Sequence, residues 1–226
     1  MSPCHTVRTT LLRSVWRVRF SPNPRGQTPN PRPSLSVQPQ LAHIVHLLES
    51  TQDRLHRLVA DVPETKWAVR PAPDRWSIAE CVGHLNLTSQ AVIPLARTAV
   101  AKAALLPPLA AGRSYRHSFL GAVLSAVMGP VFELGPLHLM RVRTVAPFVP
   151  NAAESCVSVM ADFDRLQGEL IALVAASDGR AIDRELVTSL FDPRVSYNLY
   201  SAFVMVARHE LRHVVQAERA WRDVRT

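Results

Sequence analysis

Apolar residues recur at helical spacing in separate stretches of this 226-residue chain. The first stripe is Leu41, Ile44, Val45, Leu48, Leu55, Leu58 and Val59, ended by Asp61-Val62-Pro63. Steps of three and four place these side chains on one face, as an amphipathic helix requires. After a proline-rich turn, Ser77 and Glu80 spell a capping box, so a second helix is expected from there, with Cys81, His84, Leu85 and Thr88 on one face. Pro94 should kink or end it. A third stripe runs Val157, Met160, Phe163, Leu166, Leu170 and Leu173, with Gly179 beyond its end; its start is expected at Asn151–Glu154. A last helix is read from Ser196 to Trp221, with no alternating strand anywhere. Four long helices imply an all-α protein, a four-helix bundle.

Two segments fall outside this pattern. Residues 105–150 are apolar in part but interrupted by Gly, Pro and Glu133. A membrane span needs about 20 uninterrupted apolar residues, so a partly buried connection with a short helix is expected. Residues 1–38 hold proline, serine and six arginines, without an acid or an apolar face. Such a segment cannot offset its ordering entropy and is expected to be a disordered, dispensable extension. It lacks the continuous apolar core of a secretory signal. Its arginines suit either an organelle transit peptide or a start codon placed too far upstream, and the second is the simpler reading. The bundle domain is therefore drawn over residues 39–226.

Charge then changes little. The net charge is +8, but the leader carries +6 of it, which leaves +2 on the remaining 188 residues. No basic stripe with interleaved aromatics remains, which argues against a nucleic-acid partner. Apolar residues are 47% of the chain and charged residues 19%, as in ordinary globular proteins. Cys4, Cys81 and Cys156 are far apart and form no C-x-x-C, so a disulfide framework is not expected and a reducing, cytoplasmic setting fits.

The candidate chemistry lies on the last helix. His209-Glu210-Leu211-Arg212-His213 matches H-E-x-x-H, and histidines four apart share a face and can reach one ion. Its inward stripe reads Leu199, Ala202, Val206, His209, His213, Gln216 and Ala220. Two imidazoles in a mostly apolar stripe each need polar partners, so they are either metal ligands or hydrogen-bonded core residues. A zinc protease would need a third ligand downstream, yet the extended signature's Gly and His positions hold Gln216 and Arg219. The third ligand must come from upstream: His43, His46, His56, His84, His117 or His138. His84 stands out, one turn into a capped helix. Cys81 is either a fourth ligand or, more simply, a small buried residue. Glu210 is a base, an acceptor behind the ligands, or solvated. Gln216 either fixes the free ring nitrogen of His213 or packs in the core. Trp76 reads as a packing residue beside the helix cap.

"LESTQDRLHRLVADVPETKWAVRPAPDRWSIAECVGHL", "VRTVAPFVPNAAE" and "HELRHVVQ" occur in this order. Together they closely resemble the DinB-like (YfiT-like) superfamily over about residues 38–222. The resemblance implies a four-helix bundle with a divalent metal held by His84, His209 and His213. It also implies low-molecular-weight thiol chemistry: S-transfer or thiol-dependent isomerisation of a small-molecule substrate. Zinc, nickel and manganese all accept imidazole. Two other readings stay open, a metal-dependent hydrolase and a non-enzymatic metal- or ligand-binding bundle of the stress-response kind. No catalytic acid or base is named, no membrane partner is expected, and a homodimer is compatible with the reading.

Overall fold

The computed structural model describes residues 38–128, 144–151 and 155–225. The leader ahead of Gln38, the stretch 129–143 with His138, and the expected helix-start residues 152–154 lie outside them. Helix α1 spans Pro39–Ala60 and α2 Glu64–Trp67. Then follow α3 at Ile78–Ala103, α4 at Phe119–Val127, α5 at Cys156–Ala175 and α6 at Leu199–Val224. The long helices form an all-α four-helix bundle, in which α3 packs on α5 and α6 and α1 packs on the same two. Among the described residues, no helix is long and apolar enough to cross a membrane.

Local chemistry explains the boundaries. Ser77 accepts from Glu80 N at 3.2 Å while Glu80 accepts from Ser77 N at 2.9 Å, the reciprocal cap read from the sequence. Pro94 does not end α3, which runs on to Ala103. The lost hydrogen bond is offset because buried Ile93, Ala96, Ala99 and Val100 hold both sides against the core. Helix α5 begins at Cys156, with Ser155 accepting from Ser158 N, later than the expected Asn151 start. Gln38, which the sequence reading assigned to the extension, caps α1 and receives the side chain of Asp178 on its own N–H at 3.0 Å. The folded unit therefore includes it.

The expectation of no strands fails. Strands β1, Leu186–Thr188, and β2, Ser196–Asn198, pair antiparallel, with Val187 opposite Tyr197. Three residues are too few to show alternation, although Asp192-Pro193 marks the turn: Asp192 Oδ1 accepts from Arg194 N at 2.9 Å. The hairpin also takes Ser196 from the last helix. Asn198 caps α6 by accepting from Ser201 N at 3.0 Å.

The core is divided. One apolar cluster gathers Leu41, Ile44, Leu48, Ile93, Leu170 and Phe203 among others, and a second gathers Leu55, Trp67, Ile78, Leu85, Phe163 and Val214. Between them along every long helix lie buried polar residues: Thr51 on α1, His84 and Asn86 on α3, Gln167 on α5, Glu210 and His213 on α6. Burying polar groups at mid-bundle costs stability unless they are satisfied. This layer is where a site is to be sought.

Two expected outcomes follow from packing outside it. A Cβ at Gly121 would overlap Ser201 Cβ and Oγ, so α4 reaches α6 only because residue 121 is glycine. Gly121→Ala should lower stability by about 1–3 kcal/mol in urea unfolding. His56 on α1 and Asp164 on α5 meet at 2.7 Å. The Asp164 hydrogen bond outweighs burial and raises the His56 pKa above 6.5. Burial works to raise the Asp164 pKa, but the bonds from His56 and Gln52 outweigh it and bring it below 3.8. The pair therefore stabilises the fold most between pH 3.8 and 6.5. It fades as pH rises through the raised imidazole value or falls through the lowered carboxylate value. Both side chains are about a third exposed, so His56→Asn should remove only about 0.5 kcal/mol. The difference from the parent should peak near pH 5 and vanish by pH 9.

Candidate metal centre

Helices α3 and α6 bring three imidazoles together. His84 Nε2 lies 3.2 Å from His209 Nε2, and His213 Nε2 lies 3.1 Å from the same atom. All three ligand atoms fall within 4.8 Å of one another. His84 and His213 are buried and His209 nearly so.

The outer ring nitrogens decide the chemistry of the inner ones. His84 Nδ1 is 2.8 Å from Phe148 O, a carbonyl that can only accept, so Nδ1 carries the proton. His213 Nδ1 likewise donates to Gln216 Oε1 at 2.9 Å. The Nε2 atoms of both rings are then bare lone pairs, and both face His209 Nε2. One proton on His209 can satisfy only one of them. A single cation satisfies all three, and nitrogens around a tetrahedral ion at about 2.0–2.1 Å lie about 3.3 Å apart. The donor set therefore fits a divalent ion.

Electrostatics favour the ligand form. Burial lowers the pKa of all three histidines, that of His209 to about 3, and the positive charge of Arg212 adds to each shift. At neutral pH each imidazole keeps its lone pair, as a metal ligand must.

Two supports come from places the sequence did not mark. A short 3-10 turn, Ala146–Phe148, brings the Phe148 carbonyl to His84. Its approach depends on Gly83, where a Cβ would press on Pro150 Cβ at 3.0 Å. Trp76 does more than pack beside the cap: its ring lies 5.0 Å from that of His84 and stacks at 5.8 Å on that of His213. It covers these two imidazoles on the side of the α3 N-terminus.

Glu210 is not solvated. It is 1% exposed, and its Oε2 accepts from Gln167 Nε2 at 2.9 Å, while Oε1 has no partner among the described residues. Gln167 also donates to Leu48 O at 2.9 Å, so one amide from α5 ties α1 to α6. Burial lifts the Glu210 pKa to about 8, against the Gln167 bond that lowers it. The burial could have been read from position: Glu210 follows the stripe residue His209 and lies four before Val214.

The remaining candidates lie elsewhere. His43 and His46 are exposed on α1, His56 pairs with Asp164, and His117 Nδ1 contacts Ser201 Oγ at 3.0 Å. Cys81 is fully buried in an apolar cluster and is not among the converging atoms. His209 and Glu210 open on a cavity of about 250 Å³ between α3, α4, α6 and the hairpin.

No curated protein and no solved structure matches this chain. A family profile, however, matches residues 47–217, from the first helix to past the histidine pair, and its description is the DinB superfamily. That span holds all three histidines and most of each of the four long helices, and the chain belongs to the DinB superfamily.

Proposed function

We propose that this protein is a divalent-metal-dependent enzyme that activates a low-molecular-weight thiol for S-transfer or isomerisation of a small electrophile. His84, His209 and His213 would hold the ion. The observation that carries the reading is the convergence of three Nε2 atoms, at 3.1 and 3.2 Å, on rings whose outer nitrogens are already engaged or buried. A divalent ion bound by three neutral imidazoles keeps open positions, and when bound it supplies Lewis acidity and lowers the pKa of a coordinated thiol or water.

The chain's own residues prepare that chemistry. Phe148 O and Gln216 Oε1 fix the tautomers of His84 and His213, so both present a lone pair inward. Trp76 and the apolar wall around His209 keep water from the buried rings. The cavity beside His209 gives an electrophile room at the same face. Zinc, nickel and manganese each suit this nitrogen set, and a cytoplasmic setting, with its pool of reduced thiols, goes with the reading.

Cobalt-substituted protein tests it. Glutathione, bacillithiol and mycothiol are added in turn, each with a reactive electrophile. One of them should shift the visible spectrum and speed thioether formation, and the gain should vanish in His84→Ala. A protein that instead hydrolyses simple esters or amides, with no thiol-induced shift, is a hydrolase. A protein that does neither is a binding bundle, and the proposal fails.

A further inference from the structure

The cavity beside His209 has walls of one kind. Val92, Ala96, Leu124, Val187, Phe191 and Val206 converge on it from α3, α4, the hairpin and α6. Ser89, Thr188 and Tyr197 also reach it, and other polar side chains there are engaged locally. Thr88 Oγ1 donates to Leu85 O at 2.9 Å, and Ser189 Oγ accepts from Phe191 N at 3.2 Å. The Asp192 carboxylate is held by Arg194 at 2.8 Å, so its charge is neutralised at the exposed end. Among the described residues, Glu210, which lines the cavity, has a buried side-chain oxygen, Oε1, without a partner. A buried oxygen without a partner forfeits a hydrogen bond that a ligand can restore. A mainly apolar wall with an unsatisfied polar group specifies a ligand of matching design.

We propose that this cavity takes a neutral, mainly apolar small molecule whose single hydrogen-bonding head lies at the His209–Glu210 end. This names the substrate class and rests on the reading of the site as a centre that acts on small molecules. In the metal-free protein charged molecules are rejected because no described side chain on the walls offers a free counter-charge, and an unpaired ion in an apolar cavity is costly. The volume of about 250 Å³ limits the apolar body to a short alkyl chain or one or two aromatic rings. The hairpin tip forms part of the wall and also touches the ligand-orienting segment, since the rings of Phe191 and Phe148 lie 5.5 Å apart.

The test uses full-length protein stripped of metal, so it does not depend on the thiol reaction. 1-Naphthylamine serves as a fluorescent reporter, displaced by 1-alkanols from butanol to decanol. Affinity should rise about three- to fourfold per methylene and level off once the cavity is full. The carboxylates of equal length should bind at least tenfold more weakly. Ala202→Trp, which fills the cavity, and Val206→Asp, which charges its wall, should each abolish displacement in protein shown to be folded by circular dichroism. The parent should prefer each alcohol to its methyl ether by about 3- to 10-fold, and Glu210→Leu should erase that preference. Affinity that ignores chain length, carboxylates that bind as well as alcohols, or displacement unchanged in both wall variants would overturn the proposal. Alkanol binding as described, in a protein without thiol chemistry, would remove the proposed reaction and leave this cavity assignment standing.

Discussion

Replacing His84, His209 or His213 by alanine is expected to yield protein that stays helical and purifies largely without metal. Structural zinc sites are worth about 10–16 kcal/mol in all, shared among four ligands. Losing one ligand of a three-histidine set should therefore cost about 3 kcal/mol or more, a weakening of over a hundredfold. The fold should survive because the two apolar clusters lie on either side of the polar layer and do not depend on it. His43→Ala should bind metal like the parent, since His43 is exposed on α1 and away from the converging atoms. Gln216→Ala should fall between, with about 10- to 100-fold weaker binding, because it only frees the His213 ring to turn. Competition against a chelator of known affinity measures all of these.

Gln167→Leu should produce the largest loss of stability among single changes in the polar layer. The Gln167 amide is 1% exposed and donates to both Leu48 O and Glu210 Oε2. Leucine of similar volume removes both bonds and leaves Glu210 with neither oxygen satisfied. A buried acceptor without its donor costs about 1–3 kcal/mol. We expect about 3 kcal/mol in urea unfolding. The double variant Gln167→Leu with Glu210→Leu should recover part of that loss, because an apolar pair in place of a polar pair leaves nothing unsatisfied. A double variant less stable than both singles would mean that Glu210 stabilises the bundle through a contact other than Gln167.

The sequence made the helices legible where periodicity was long and punctuated. The stripe from Leu41 to Val59 gave α1 nearly to the residue, and the capping box at Ser77 gave the start of α3 but not its end at Ala103. The His209–His213 pair was legible for the same reason, since helical spacing alone puts both on one face. His84 was one of six histidines by spacing and was singled out by its place after the cap. Its partner, the Phe148 carbonyl, has no side-chain signature; only a backbone turn 64 residues away supplies it. The hairpin escaped notice because its strands are three residues long. The place of Glu210 stayed open between base, acceptor and solvated residue because spacing alone does not show that α6 is enclosed by α1, α3 and α4 along much of its circumference. Trp76 read as packing because nothing local shows that it lies over two rings contributed by helices far apart in sequence.

The central claim is that three imidazoles share one ion. X-ray absorption at the zinc edge, on protein loaded with one equivalent of zinc, tests it most directly. The expected spectrum shows a first shell of nitrogen and oxygen at about 2.0–2.1 Å, with outer-shell scattering that fits three histidine rings and falls to two in His84→Ala. A first shell containing sulfur, a fit to one ring or none, or an unchanged ring count in His84→Ala would contradict it.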